Sequence, residues 1–278
     1  MPHRTINGAS LYYEESGSGE PLIFQHGYTG SHHGWDGVIP IVAAAGYRCV
    51  AMDARGACHS EHTPDGYSIE QYARDVVGMA DALGLDHFTY IGHSMGGVIG
   101  YQLALDAQER LDRLVLVAPG PADGITHPDA ARMHEMSRDR RARGAKDELL
   151  EERLLLTARE RPIEDMIDEI ERNFAVSDGH FESSWDELVN FRAGERLGEI
   201  TVPTLMMAGA ADALLEANLN DFLRLPNATL HVFSRVSHGL PYEIPEEFAH
   251  VLLDFLQHGV VTARTMQEAL REKAPARG

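Results

Sequence analysis

The sequence has few cysteines and no long apolar run, and each absence excludes a class of protein. Two cysteines, Cys49 and Cys58, are too few for a disulfide framework, and they lack the Cys-x-x-Cys spacing of common metal sites. Because no run of 18 apolar residues exists, we expect no membrane span. The first residues lack the apolar core of a signal peptide, so we expect a cytoplasmic protein.

Positive charge is also scarce. Acidic residues outnumber basic ones by 43 to 24, which gives a formal net charge of -19. Such a surface repels nucleic acid and anionic membranes, so we expect neither as a partner. The 278 residues, 44% hydrophobic and 24% charged, suffice for one large core or for a core with an inserted subdomain.

Apolar runs that predict strands alternate with helical patterns in the first part of the chain. The predicted strands are the stretches ASLYYEES, PLIFQHG, RCVAMDARG, HFTYIGHS and LDRLVLVAP. The clearest helical pattern is SIEQYARDVVGMADALGL, in which Ser68 and Gln71 form a candidate capping box. This alternation predicts an α/β fold with a mostly parallel central sheet flanked by helices.

The alternation stops between residues 124 and 198, where only helical patterns rich in Arg, Glu and Asp occur. It resumes at TVPTLMMAGAAD. We therefore predict a core domain made of residues 1–123 and 199–260, with a helical cap inserted at 124–198. Residues 261–278 are predicted to form a C-terminal helix or tail.

The stretch YIGHSMGGVIG places a serine between two glycines, after a predicted strand and before a predicted helix. Gly92 and Gly96 carry no Cβ, so neighbouring backbone can approach closely. Ser94 would stand at the N-terminus of a helix, where free N–H groups favour developing negative charge. The pattern predicts a nucleophile elbow, in which the Ser94 hydroxyl is lifted clear of the sheet.

A serine needs a base within hydrogen-bond reach, and the base needs an orienting acid. Asp212 and His238 each follow a late predicted strand, at the sheet edge where ligands collect. We favour Asp212 over Asp123, which follows an earlier strand. His93 is predicted to point away from the pocket. The loop histidines are predicted to be solvated: His32, His33, His59 and His62.

Acyl transfer also needs two N–H groups that hold the developing oxyanion. One is expected from Met95, the residue after the serine. The other is expected from Tyr28, which directly follows His26-Gly27 in the loop after PLIFQ.

The motifs HGYTG, DARGACHS, GHSMGG, PTLMMAGAAD and SHGLPYEIPEEF occur in this order. Together they resemble the α/β-hydrolase superfamily, in its capped, esterase- and lipase-like branch, over residues 11–257. The resemblance implies a catalytic triad of Ser94, Asp212 and His238, with Tyr28 and Met95 as oxyanion donors. There is one departure, because Cys58 stands where members usually have glycine.

The resemblance implies two-step acyl transfer by a serine hydrolase, without a metal or an organic cofactor. Its relatives that act on haloalkanes or epoxides need an aspartate at the elbow. The expected partners are water and a small-molecule carboxylic ester or lactone of small to medium size. Alternatives are hydrolysis of a carbon–carbon bond in a diketone-type substrate, cofactor-free perhydrolysis, and a ligand receptor without catalysis. Whether the chain forms a homodimer stays open.

The predicted cap would act as a lid over Ser94 and shape the substrate pocket. The candidate lining residues are Tyr28, Met133, Met136, Phe174, Trp185 and Leu214. Aromatic residues and methionines at helical spacing are also typical of ordinary core packing, which is the competing interpretation.

Overall fold

The structure is a computed structural model that describes residues 2–263, 265–267 and 270. Its centre is a sheet of eight strands, which lie side by side in the order β1-β2-β4-β3-β5-β6-β7-β8. The strands β1 and β2 run antiparallel to their neighbours, and all the others are parallel. The strands are β1 (His3–Ile6), β2 (Ala9–Gly17), β3 (Glu20–Gln25), β4 (Tyr47–Met52), β5 (Phe88–His93), β6 (Leu111–Val117), β7 (Thr204–Gly209) and β8 (Ala228–Phe233).

Helices cover both faces of this sheet, as the alternating pattern predicts. They are α1 (Ile39–Ala44), α2 (Ile69–Ala82), α3 (Met95–Ala107), α4 (Ala130–Arg143), α5 (Lys146–Leu156), α6 (Ile163–Phe174), α7 (Asp178–Asn190), α8 (Leu215–Phe222), α9 (Leu240–Glu243) and α10 (Pro245–His258). Short 3₁₀ helices cover His32–Trp35, Gln108–Arg110 and Gly194–Glu199. Ser68 caps α2, because its hydroxyl accepts the Gln71 N–H at 3.2 Å. The second half of the predicted capping box is absent, since the Gln71 side chain donates to Asp75.

The core consists of two apolar layers, one on each face of the sheet. Helices α1 and α10 pack on one face, around Phe24, Trp35 and Phe248. Helices α2 and α3 pack on the other, around Tyr72 and Tyr90. Every residue of β5 and β7 is buried, which explains why these strands are continuous apolar runs instead of alternating ones.

The helices α4 to α7 lie between β6 and β7, in the region predicted as a cap. The limits 124–198 remain a prediction. The predicted C-terminal helix within 261–278 falls largely outside the described residues. Strand β1 has no apolar run in the sequence, and the pattern did not predict it. In the part of the chain that the structure describes, no helix has the length and apolarity needed to cross a membrane.

Candidate active site

Ser94 lies at a sharp turn between β5 and α3. Its backbone has a φ of 55° and a ψ of -112°, a strained conformation for a residue with a side chain. The neighbouring glycines are sterically required. A Cβ on Gly92 would lie 2.1 Å from the Gly96 carbonyl oxygen, and a Cβ on Gly96 would lie 2.5 Å from the Gln25 carbonyl oxygen. The turn therefore tolerates no side chain at either position.

The structure brings Ser94, His238 and Asp212 together. His238 Nε2 is 2.9 Å from Ser94 Oγ, and His238 Nδ1 is 2.9 Å from Asp212 Oδ2. Because the carboxylate can only accept, the imidazole donates through Nδ1–H and keeps Nε2 unprotonated. Nε2 can then accept the proton of the Ser94 hydroxyl. This arrangement meets the geometric requirement for a base and an orienting acid beside a nucleophile.

Asp212 is held in its charged form. Its side chain is 3% exposed, and its Oδ1 accepts the Leu214 N–H at 2.9 Å. Burial opposes ionisation, but the hydrogen bond and charge of His238 and the Leu214 amide outweigh it, so the pKa of Asp212 stays below its usual value. Leu214 thus contributes its backbone amide to the site. Its side chain, predicted to line the substrate pocket, is outside the two cavities described below.

The loop after β3 is fixed by a histidine that the sequence interpretation treated only as part of a turn. The Gly27 carbonyl accepts the Gly30 N–H at 3.0 Å and His26 Nδ1–H at 2.8 Å, while His26 Nε2 accepts the Ala54 N–H at 3.0 Å. Burial lowers the pKa of His26, which favours this neutral tautomer. In a trans peptide the C=O and the following N–H point in opposite directions. The Tyr28 N–H is therefore directed away from His26.

The two predicted oxyanion donors both adjoin Ser94. A Cβ on Gly27 would lie 2.9 Å from Ser94 Cβ, so the loop that carries Tyr28 touches the serine. Met95 begins α3, and the first amides of a helix have no acceptor within it. The role of the two N–H groups as oxyanion donors stays a prediction.

His93 corrects a prediction, since it was expected to point away from the pocket. It lines the cavity in front of Ser94, and its Nε2–H donates to the His238 carbonyl oxygen at 2.9 Å. Its ring centroid is 5.0 Å from that of His238. Burial, helped by the charge of His238, lowers the pKa of His93 to about 3, so it is neutral at physiological pH. His93 therefore positions the loop that carries His238.

A buried glutamate fixes the same loop from its other side. Glu243 accepts the Ser237 N–H at 3.2 Å and the Ser237 hydroxyl, next to His238. The same carboxylate accepts the Arg159 N–H at 3.1 Å, from the segment between α5 and α6. Glu243 thereby connects the predicted cap to the histidine loop. Sequence reasoning missed this contact, because nothing in the pattern pairs a glutamate in α9 with a residue of the cap.

A cavity of about 270 Å³ opens in front of Ser94, and its charged lining is largely self-neutralised. The charged residues are Glu152, Arg153, Arg161, Glu169 and Glu243. Arg161 donates to Glu169 at 2.9 Å, and Arg153 donates to the same carboxylate. Burial opposes ionisation of Glu169, but the two arginines hold its pKa below its usual value. Glu152 pairs with Arg140 at 2.7 Å, so its charge is balanced as well.

A second cavity, of about 220 Å³, lies beneath the helices α4 to α7 and has an aromatic lining. It shares Tyr28, Arg153 and Asn173 with the first cavity, so the two adjoin. Phe174 and Trp185, two of the predicted lining residues, lie in its wall together with Phe181, Leu149 and Arg141. The Tyr28 hydroxyl donates to the Phe181 carbonyl at 2.6 Å, which joins the oxyanion loop to α7.

Two other predicted lining residues lie elsewhere. Met133 and Met136 are 49% and 52% exposed, and neither lines the two cavities. The prediction was wrong because α4 is polar around most of its circumference, so spacing alone does not reveal which side faces inward. His32, predicted to be solvated, is 1% exposed, and its Nδ1 is 2.9 Å from Asp53 Oδ1.

Comparison with known proteins identifies the family. Residues 20–158 match the family model described as alpha/beta hydrolase fold. A curated relative, the 2-hydroxy-6-oxononadienedioate/2-hydroxy-6-oxononatrienedioate hydrolase 1 of Dechloromonas aromatica, is 31% identical, and the alignment covers 89% of this chain and 91% of the relative. The chain belongs to the α/β hydrolase family, and hydrolysis is the class of reaction that it shares with its relatives.

Solved structures show the same fold. An esterase from Exiguobacterium antarcticum superposes with a TM-score of 0.83 at 24% identity, covering 92% of this chain and 99% of the esterase. Est816, described as an N-acyl homoserine lactone degrading enzyme, superposes with a TM-score of 0.77 at 28% identity, covering 91% of this chain and all of Est816 (100%). The predicted fold, a mostly parallel sheet flanked by helices, is confirmed.

Proposed function

We propose that the chain is a serine hydrolase that cleaves neutral carboxylic esters or lactones of small to medium size. One observation carries this proposal. The Ser94 hydroxyl, the His238 imidazole and the Asp212 carboxylate form a continuous hydrogen-bonded chain at the edge of a cavity of about 270 Å³. The Tyr28 and Met95 amides adjoin the same serine.

In the first half of the reaction, Ser94 Oγ attacks the substrate carbonyl carbon while His238 Nε2 takes the hydroxyl proton. The negative charge that develops on the carbonyl oxygen is held by the Tyr28 and Met95 N–H groups. The intermediate then collapses, the bond to the leaving oxygen breaks, and His238 gives its proton to that oxygen. An alcohol leaves and an acyl-serine remains.

In the second half, water attacks the acyl-serine and His238 takes its proton. The second oxyanion collapses, the bond to Ser94 Oγ breaks, and the proton on His238 returns to the serine. Asp212 holds the imidazole in the required tautomer and stabilises its charged form. Atoms and charge balance with water as the only co-reactant.

The charges of the lining favour a neutral substrate. Both arginines that face the cavity already pair with Glu169, so a substrate carboxylate would have to compete with Glu169 for them. A neutral substrate leaves these ion pairs, and that of Glu152 with Arg140, intact. The adjoining aromatic cavity suits an apolar acyl group, with Phe174 and Trp185 in contact with its chain.

Hydrolysis of a carbon–carbon bond is the second candidate, and the curated relative supports it. The name of that relative's substrate includes an oxo group, a hydroxyl group and two carboxylates but no ester, so its hydrolysis must break a carbon–carbon bond. The same triad could serve both reactions. A dianionic substrate would, however, have to break the ion pairs of the two lining arginines with Glu169, and for this reason we place ester cleavage first.

The two candidates are separated by comparing kcat/KM for three substrates: p-nitrophenyl butyrate, a neutral γ-lactone, and a 2-hydroxy-6-oxo-dienoate whose visible absorbance is lost on cleavage. The proposal predicts that the ester and the lactone exceed the dienoate by at least about 100-fold. A higher kcat/KM for the dienoate than for the ester and the lactone would make carbon–carbon hydrolysis the first candidate. Ser94→Ala serves as the control and should abolish all turnover.

A further inference from the structure

We propose that His32, His33 and Cys58 form a binding site for one divalent transition-metal ion, with zinc as the expected ion. One nitrogen from each ring and the cysteine sulfur lie within 4.8 Å of one another. His32 and His33 belong to the loop after β3, and Cys58 belongs to the loop after β4. Acyl transfer uses none of the three, and none lines the cavity in front of Ser94.

His32 supplies a buried ring nitrogen that makes no hydrogen bond, although the Glu14 carboxylate lies at ion-pair distance. The residue is 1% exposed, and its Nε2 has no hydrogen-bond partner among the described residues. Its Nδ1 is 2.9 Å from Asp53 Oδ1, and Asp53 is fully buried. A carboxylate on one ring nitrogen is the usual support of a metal-binding histidine, because it fixes the ring with the other nitrogen facing the ion.

His33 repeats the arrangement. Its Nδ1 is 2.8 Å from Asp36 Oδ2, and its ring centroid is 4.0 Å from that of His32. Each ring is therefore held by its own aspartate. In both rings Nε2 is the nitrogen left for an ion.

Cys58 occupies a backbone position that favours glycine. Its φ is 43°, in the left-handed region that residues with a side chain rarely adopt. A residue that keeps this conformation with a side chain is strained, and such positions cluster at functional sites. The thiol is free and half-buried beside the two rings. Cys49, in contrast, is fully buried, and burial raises the pKa of its thiol to about 12.

Two imidazoles and one thiolate match zinc, whereas Mg²⁺ and Ca²⁺ prefer oxygen ligands alone. Ligand atoms on a tetrahedral zinc ion with bonds of about 2.1 Å are about 3.4 Å apart, so the three side chains would draw together on binding, with water in the fourth position. Glu14 on strand β2 lies beside the cluster, with its Oε1 3.7 Å from His32 Nε2, but this oxygen accepts the Tyr12 hydroxyl and is not one of the clustered ligand atoms. Binding releases the thiol proton.

Such an ion would link the loop after β3, which carries Tyr28, to the loop after β4. Its ligands come from two separate loops, so no local motif in the sequence reveals them. The ion would have a structural role, and the acyl-transfer chemistry proposed above would run without it.

The test uses the full chain without an affinity tag, stripped of metal and titrated with zinc against a chromophoric chelator. Cobalt(II) titration of the same samples reports a thiolate ligand through its charge-transfer absorption in the near ultraviolet. The variants are Cys58→Gly, which also suits the local φ, and His33→Gln. His62→Gln, an exposed loop histidine outside the cluster, is the matched control. A second set of samples carries a phosphonate adduct on Ser94. The adduct covers His238, so zinc bound by these samples cannot be at the catalytic histidine.

We expect one zinc ion per chain, with or without the phosphonate, and a cobalt–thiolate band. Cys58→Gly should lose the band, and both cluster variants should bind zinc at least about 100-fold more weakly. His62→Gln should bind like the wild type. The proposal is overturned if the wild type binds no stoichiometric zinc, if the band is absent, or if Cys58→Gly retains the affinity. Unchanged esterase activity of metal-free Cys58→Gly would show that the variant is folded.

Discussion

Replacing Asp212 by asparagine changes one atom of the site and should reverse the tautomer of His238. The Leu214 N–H donates to Asp212 Oδ1 at 2.9 Å and would need an oxygen acceptor in the variant as well. The asparagine would therefore keep its oxygen on Leu214 and turn its NH₂ group toward His238. His238 Nδ1 would then have to accept, and its proton would move to Nε2, which faces Ser94 Oγ at 2.9 Å. A protonated Nε2 cannot take the serine proton.

The size of the effect follows from the same geometry. A tautomer reversed in this way costs about 10⁴-fold in kcat, which corresponds to about 5 kcal/mol of transition-state stabilisation. KM should change little, because Asp212 lies behind His238 and does not line the cavity. The assay is the steady-state hydrolysis of p-nitrophenyl butyrate from pH 6 to 9, with the free energy of unfolding measured in urea on the same samples.

The matched control is Asp123→Asn, the alternative acid that the sequence offers. Asp123 is half exposed and pairs with Arg224 at 2.6 Å, on the surface, away from His238. We expect less than about a twofold change in kcat for this variant, since exposed ion pairs contribute little. If Asp212→Asn kept a tenth of the activity, or if Asp123→Asn lost as much, the assignment of the acid would be refuted.

Three further predictions follow from particular contacts. Gly96→Ala should lower the free energy of unfolding in urea by at least about 3 kcal/mol, because the added Cβ would clash with the backbone of Gln25 and His26. Gly198→Ala, the control, should leave it unchanged, because no atom of a described residue other than its chain neighbours lies within 4 Å of the added Cβ. Trp185→Ala should raise KM for octanoyl but not acetyl esters, while the exposed Met133→Ala should change neither. Burial lowers the pKa of His180 from 6.5 to about 3, so only the unfolded chain takes up a proton between these values. The contribution of His180 to stability should therefore be present above pH 6.5 and fall below it, by about 2 kcal/mol at pH 5. His93 adds a slope of the same sign, so His180→Gln should reduce the pH dependence of unfolding by about one proton and leave the remainder.

The elements that carry chemistry could be predicted because their signals are local. Ser94 lies between glycines that the turn requires, and Asp212 and His238 each directly follow an apolar strand. In a parallel sheet the carboxyl ends of all strands lie on one edge. Three residues up to 144 positions apart are thereby brought together by the sheet alone.

Contacts between distant loops could not be predicted in the same way. Nothing near Gly27 in the sequence indicates that His26 holds its carbonyl, since the opposing partner is the Ala54 amide. The bond from His93 to the His238 carbonyl also depends on the exact positions of two loops. Such hydrogen bonds follow from packing and have no signature in spacing or composition.

The predicted cap shows a further limit of pattern reasoning. Its helices were expected from their spacing, and α4 to α7 are present. The charged residues give α4 no clear apolar side, so the sequence did not show whether Met133 and Met136 face inward or outward. The pairing of Arg153 and Arg161 with one glutamate in the cavity wall also required the structure.

The central claim is that the Ser94 hydroxyl is the nucleophile, activated by His238. The most direct measurement is intact-protein and peptide mass spectrometry after a fluorophosphonate reacts with the wild type, Ser94→Ala and His238→Asn. The account predicts one adduct per chain, located on Ser94, with none on Ser94→Ala and labelling at least about 100-fold slower for His238→Asn. An adduct on another residue, or equal labelling of Ser94→Ala, would contradict it.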